Sequence, residues 1–276
     1  MSRLMVFLLA LSTSLLSTLS LSAYAERDEG DSPFISTELN NLPYEREWVN
    51  TLRRESSTQF NPERLQLVHC DEVSGNCLFR SSLPQKGNDF AYGELRQAMQ
   101  SAYRARMGAS LPARFELVDI SLLNWFTDAK ELQLEKQYFR MNPEKGRFKH
   151  HAIYGALSSP NAYPETMKNW LEVLPSMGEI SALEDDLGYL ISTVNDKPQM
   201  VVVHCRAGHD RTGEVVAAFQ MRYLGMSHRE AFAKANATKG HPGKPLPINP
   251  LSRNGLMWYA YYLRDVMGIS TVGDIE

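Results

Sequence analysis

Cysteine is scarce in this chain and odd in number, with three residues among 276, at positions 70, 77 and 205. No second Cys/His pair at metal-ligand spacing accompanies them, which disfavours a structural zinc site. Excess charge is also lacking. Twenty-nine Lys and Arg against 32 Asp and Glu leave a net charge of −3, which argues against a general nucleic-acid binder. Beyond residue 25 no apolar run is long enough to cross a bilayer, and there is no internal repeat or low-complexity tract. What is present, 43% hydrophobic and 22% charged residues, describes an ordinary globular protein with length for one substantial core.

The first 25 residues carry a short basic start (Arg3), a Leu-rich apolar stretch and a small-x-small ending, Ala23-Tyr24-Ala25. That pattern is expected of a secretory signal peptide and implies export to a periplasm or the exterior. The alternative is an uncleaved membrane anchor, for which the Ser/Thr-laced stretch is weak. Export changes how the cysteines read. Cys70 and Cys77 flank a turn-rich segment between two strand-like runs, and a cross-hairpin disulfide there suits an oxidising compartment. Two unrelated thiols are the alternative. Pairing them would leave Cys205 as the free thiol.

Residues 26–62 read as a polar lead-in with a helical segment near 44–55, and residues 63–276 as one domain. A hairpin is expected over 65–82, a helix over 90–107 and a strand over 115–120. The stretch 132–154 is expected to be strand with loops. Helices are expected over 164–174 and 180–194, then a strand over 199–204 and a helix from Thr212 to about 223, closed by Gly225. Ser227 and Glu230 form a capping-box pair for a further helix. A Pro/Gly-rich loop over 240–250 precedes a last helix over 254–267. Strands alternating with helices imply an α/β fold, a central mainly parallel sheet flanked by helices.

The decisive run is Val201-Val202-Val203-His204-Cys205-Arg206-Ala207-Gly208-His209-Asp210-Arg211-Thr212-Gly213. A β-branched strand ends in a thiol, and a short loop leads onto a helix N-terminus. Free N–H groups and the positive end of a helix dipole suit a bound phosphate. The same field favours thiolate over thiol, and the thiolate is the nucleophile.

This segment resembles the phosphate-binding loop of the cysteine-dependent protein tyrosine and dual-specificity phosphatases, in the form of the bacterial branch whose loop ends in Asp-Arg-Thr-Gly. A fainter echo lies in Cys77-Leu78-Phe79-Arg80-Ser81-Ser82-Leu83-Pro84, similar to the strand with an Arg-Ser-x-x-Pro ending that opens such domains. The resemblance is strong over about 195–225 and faint over about 77–125. It implies a phosphate loop set between a core strand and a helix, with no cofactor and no metal. Cys205 would be the nucleophile and Arg211 the fork on two phosphate oxygens. Backbone from Arg206, Ala207, Gly208 and His209 would line the anion site, Thr212 would donate to the sulfur, and His204 would orient from behind.

The family's mobile-loop aspartate has no counterpart, since no Asp lies between 128 and 185. Asp210 is the candidate general acid, against the alternatives Asp185, Asp186 and Glu165, and its other reading is a carboxylate tying the loop together. Arg206 and His209 add basic charge to the loop, and Lys145, Arg147, Lys149, His150 and His151 could extend it. In the resemblance such charge goes with highly anionic substrates. The expected partner is therefore a phosphorylated protein, with a phosphoinositide or inositol polyphosphate (a phytase-like activity) as the alternative. A silent phosphate-binding module and a sulfur-transfer enzyme are the other readings. No nucleic acid and no membrane span after signal cleavage are expected.

Overall fold

The structure, a computed structural model, describes residues 59–237 and 247–275. The signal-peptide segment, the helix expected over 44–55 and most of the loop expected over 240–250 lie outside the described residues. Apart from Trp125–Ala129, the described chain falls in one compact unit.

Strand β1 (Gln66–Cys70) turns into β2 (Cys77–Ser82) as the expected hairpin, with Cys70 opposite Cys77 in the ladder. Their sulfur atoms are bonded as a disulfide, and Cys205 is the free cysteine. Asn76, fully buried beside the turn, donates to the carbonyls of Leu190 (2.8 Å) and Thr193 (2.8 Å) and accepts from the N–H of Gln199 (2.7 Å). One amide thus ties the hairpin to the segment that enters the central strand.

A small ladder, β3 (Gln85–Lys86) and β4 (Asp89–Phe90), leads to helix α1 (Tyr92–Met107). Then come β5 (Glu116–Ser121), α2 (Ala129–Met141) and β6 (Gly146–His150). The second half runs α3 (Glu165–Leu171), α4 (Glu179–Ser192), β7 (Gln199–Cys205), α5 (Asp210–Tyr223), α6 (His228–Asn236) and α7 (Pro250–Tyr261). The sheet order is β1-β2-β7-β5-β6. Only the β1/β2 pair is antiparallel, so the sheet is mainly parallel as expected.

The all-apolar run of β7 follows from its central place, where both faces are covered. Val201, Val203 and Cys205 pack with Leu183, Leu187, Val215 and Phe219 of α4 and α5. Met200 and Val202 pack with Leu95, Met99 and Phe139 of α1 and α2. A third cluster joins α5 to α6 and α7 through Ala217, Met221, Ala231, Leu256 and Tyr259.

The expectation of strand with loops over 132–154 needs correction, because a helix, α2, occupies its first part. The face α2 buries consists of Glu131, Leu132, Glu135 and Phe139. Two of these four are carboxylates, so the apolar signal at helical spacing was halved. The last helix also begins earlier than expected, at Pro250, because Asn249 caps it by accepting from the N–H of Ser252 (2.9 Å). Residues 59–62, read as lead-in, are tied to the domain by Phe60 N–H on the Gln85 carbonyl (2.6 Å) and Asn61 N–H on Ser82 Oγ (2.9 Å). Among the described residues no helix is long and apolar enough to cross a membrane.

Candidate active site

Parallel strands β2, β7 and β5 end side by side, with Ser82 paired to Cys205 and Ser121 paired to His204. At such C-terminal edges α/β sheets place their ligands. Cys205 closes β7 and is 3% exposed, so its sulfur sits at the floor of the loop that follows.

Four consecutive loop carbonyls are engaged, three by donors outside the loop and the fourth by the first turn of α5. Arg206 O accepts from Leu83 N–H (3.1 Å), Ala207 O from Arg64 Nη1 (2.6 Å), Gly208 O from Arg80 Nη2 (3.0 Å) and His209 O from Gly213 N–H (2.6 Å). The N–H groups of Ala207, Gly208 and His209 make no hydrogen bond among the described residues. Carbonyls drawn away from a tight loop leave its amides to converge, which is the arrangement of an anion nest. Gly208 makes the turn possible. Its φ is 69°, and a Cβ there would overlap the Ser81 carbonyl.

Arg211 lies in the first turn of α5, and its Nη1 donates to the Leu122 carbonyl at 2.8 Å. Leu122 N–H in turn donates to the His204 carbonyl (2.8 Å), which places the guanidinium at the same sheet edge as Cys205. Thr212, one residue on, is fully buried, and its hydroxyl has no partner among the described residues. Asp210 starts the helix, and its Oδ1 accepts from Asn249 N–H at 2.7 Å.

His204 faces away from the loop. Its Nε2 lies 3.2 Å from Asp119 Oδ1 and 3.2 Å from Glu135 Oε1, all three groups being fully buried. Burial alone would lower the imidazole pKa, but the two carboxylates outweigh it and raise it. Burial likewise pushes the Glu135 carboxyl up. These three are the group among the described residues whose donor atoms converge closely enough to hold a cation. The imidazolium between the two carboxylates already supplies the positive charge, so we read them as an ion cluster bracing His204 from behind. Sequence reasoning anticipated an orienting histidine and missed both partners, which lie 85 and 69 residues earlier.

One expectation needs correction. His209, read as added basic charge facing the anion, is 2% exposed, and its Nε2 sits 3.1 Å from the Pro247 carbonyl. Burial lowers its pKa, so it contributes contacts rather than charge. Arg206 is paired with Glu131 (3.0 Å). The basic run on β6 is also engaged. Arg147 bonds Glu116, Lys149 bonds Asp186, His150 meets the Leu123 carbonyl and His151 lies by Glu179. Lys145 stands over the Tyr92 ring. The alternative acids are held by cations as well, Asp185 by Arg222, Asp186 by Lys149 and Glu165 by Lys168.

Glu214, one turn after Asp210 on α5, is fully buried, and burial pushes its carboxyl up to about 8. Gly255 leaves room for it, since a Cβ there would overlap Glu214 Oε1. A raised folded-state pKa means that folding retains a proton, so stability is full below the unfolded value near 4.5 and is lost as pH rises towards 8. Glu214→Gln is expected to flatten that fall and gain on the order of 3 kcal/mol at pH 8, with little change at pH 4. Urea unfolding at the two pH values measures this, and an equal effect at both would refute it.

Residues 177–245 match the family model described as dual specificity phosphatase, catalytic domain. That segment, which holds β7, the loop and α5, is therefore similar to the catalytic domain of dual-specificity phosphatases. No curated protein matches in sequence. Among solved structures, one similar chain is a kinase associated phosphatase carrying serine in place of its catalytic cysteine. It is 12% identical, the match covers 78% of this chain and 98% of that one, and the TM-score is 0.42. A Trypanosoma brucei protein tyrosine phosphatase is 12% identical, over 86% of this chain and 97% of that one, with TM-score 0.31. The phosphatase PTPMT1, in complex with PI(5)P, is 14% identical, over 69% and 92%, with TM-score 0.31.

Proposed function

We propose that the chain is an exported phosphatase that hydrolyses phosphomonoesters of protein side chains through a phosphocysteine intermediate. One observation carries the reading. Cys205 lies at the floor of a loop that has three carbonyls bonded outward and the amides of Ala207, Gly208 and His209 left for an anion.

Cys205 Sγ attacks phosphorus in line as the P–O bond to the leaving group breaks, and Asp210 protonates the departing oxygen. A water then attacks the phosphocysteine while Asp210 takes its proton, releasing phosphate and the thiolate. Arg211 forks onto two equatorial oxygens throughout, and Thr212 donates to the departing sulfur. The Asn249 N–H fixes one Asp210 oxygen, so the carboxyl is held at the loop's end.

Phosphorylated proteins are favoured over inositol polyphosphates because the cations that would clamp several phosphates, Arg206, Arg147 and Lys149, are already paired. Export is supported by the N-terminal pattern and by a disulfide of the kind that persists in oxidising compartments.

The chain from residue 26 onward should be assayed on phosphotyrosine and phosphothreonine peptides, phosphoinositide vesicles and inositol hexakisphosphate. Peptides are expected to give the highest kcat/KM. The reverse order would move the assignment to polyanionic substrates, and binding without turnover would make the chain a silent phosphate-binding module. Asp210→Asn is expected to cost about 10²–10³ in kcat on alkyl phosphates and roughly tenfold less on aryl phosphates, whose leaving groups need less protonation. Equal losses on both would assign Asp210 the purely structural role.

A further inference from the structure

We propose that Arg80 is a positioning residue of the loop, holding the Gly208 carbonyl outward and supplying, from beneath, the positive charge that balances the Cys205 thiolate and the bound phosphate. This rests on the reading of Cys205 as the nucleophile.

In the parallel β2/β7 ladder Arg80 pairs with Val203 and Ser82 with Cys205, so Arg80 projects from the same face of the sheet as Cys205. Its guanidinium reaches under the loop. Nη2 is 3.0 Å from the Gly208 carbonyl and would stand 3.8 Å from a Cβ at Gly213, in the first turn of α5. The side chain is 3% exposed, and Nε has no acceptor among the described residues. Among the described residues no carboxylate pairs with it, and its hydrogen bond is to a neutral carbonyl.

A buried guanidinium without a counter-charge is unfavourable, and a structural role in a strand end would be served by a neutral donor. The charge makes sense when the anion arrives with the function. Burial pushes the Arg80 pKa down to about 10, Cys205 acts to raise it and Arg64 to lower it. Arg80 is therefore charged at neutral pH, and its favourable partner is the sulfur. Arg64, also buried, donates to the carbonyl one residue earlier, that of Ala207.

The charged groups around Cys205 come from every element packed on it. They are Arg80 of β2, Arg64 before β1, His204 of β7 with Asp119 of β5 and Glu135 of α2, Arg206 with Glu131, and His209, Asp210 and Arg211 at the start of α5.

The test is the rate of iodoacetamide alkylation against pH, in the oxidised full chain. Cys205 is its free cysteine, so the label reports that sulfur. Arg80→Gln keeps a donor for Gly208 and removes the charge, while Arg80→Lys keeps a charge and loses the planar fork. In Arg80→Gln the midpoint pH of alkylation is expected to rise by about one unit or more, with protection by inorganic phosphate weakened about tenfold. In Arg80→Lys the midpoint is expected to stay near that of the parent, with kcat reduced. An unchanged midpoint in folded Arg80→Gln overturns the proposal. If that variant does not fold, a midpoint in Arg80→Lys raised by a full unit overturns it instead, since charge would then not be what matters. Failure of the nucleophile reading looks different, because fully alkylated parent protein would retain phosphatase activity.

Discussion

Cys205→Ser is expected to lower kcat/KM on any phosphomonoester by at least about 10⁴-fold while leaving phosphate binding within a few-fold. The hydroxyl of serine is held protonated far above the pH range in which a thiol ionises, so the anion site stays formed but holds no nucleophile. Outward bonding of the loop carbonyls does not depend on the sulfur, because Leu83, Arg64 and Arg80 provide it. Quenching the parent enzyme during turnover should trap one phosphate on Cys205 by mass spectrometry, and the serine variant should trap none. A serine variant retaining even a tenth of the parent rate would remove the phosphocysteine mechanism altogether.

The second large effect is expected at Gly208. Alanine there meets two obstacles at once, a φ of 69° and a Cβ overlapping the backbone of Ser81 and Ser82. Side chains in that region of φ cost about 1–3 kcal/mol on their own. The overlap cannot be relieved by rotating a side chain, because the opposing atoms belong to β2. The loop must therefore shift, moving the Gly208 and His209 amides away from the anion. Gly208→Ala is expected to reduce kcat/KM by about 10²-fold or more and to lower thermal stability. Gly225 provides the control. Its φ is 65°, yet nothing lies within 4 Å of a Cβ there, so Gly225→Ala should lower Tm and leave kcat/KM unchanged. Equal loss of activity in both variants would mean that the Gly208 effect is only a folding defect.

Much of this was legible before any coordinates. The β-branched run 201–203 read as a buried strand, and the thiol at its exit and Arg-Thr-Gly beyond it located the loop. Ser227 with Glu230 announced the capping box that α6 carries. The hairpin was readable from two strand-like runs about a turn, and the disulfide between Cys70 and Cys77 was the expectation under export, with two unrelated thiols as the alternative. Helix α2 was hidden for a physical reason, since its buried face carries Glu131 and Glu135 for the benefit of Arg206 and His204 rather than for the core. Charge facing inward looks in a sequence like charge facing water. The same ambiguity misled the reading of His209 and of the β6 cations, whose partners on other elements, Pro247, Glu116, Asp186 and Glu179, no local pattern reveals. Arg64 and Arg80 were invisible as site residues because their target is a main-chain oxygen, which leaves no mark in composition.

The supports of the loop come from both ends of the fold. Arg64, Arg80, Leu83 and Leu122 reach it from the N-terminal side, and Pro247 and Asn249 from the C-terminal side. None of the six lies within the stretch 177–245 that carries the recognisable phosphatase signature. An excised fragment of that stretch would contain every atom that does the chemistry and still be inert. Conversely, a proteolytic cut or truncation that detaches either flank should silence the enzyme with its nucleophile untouched.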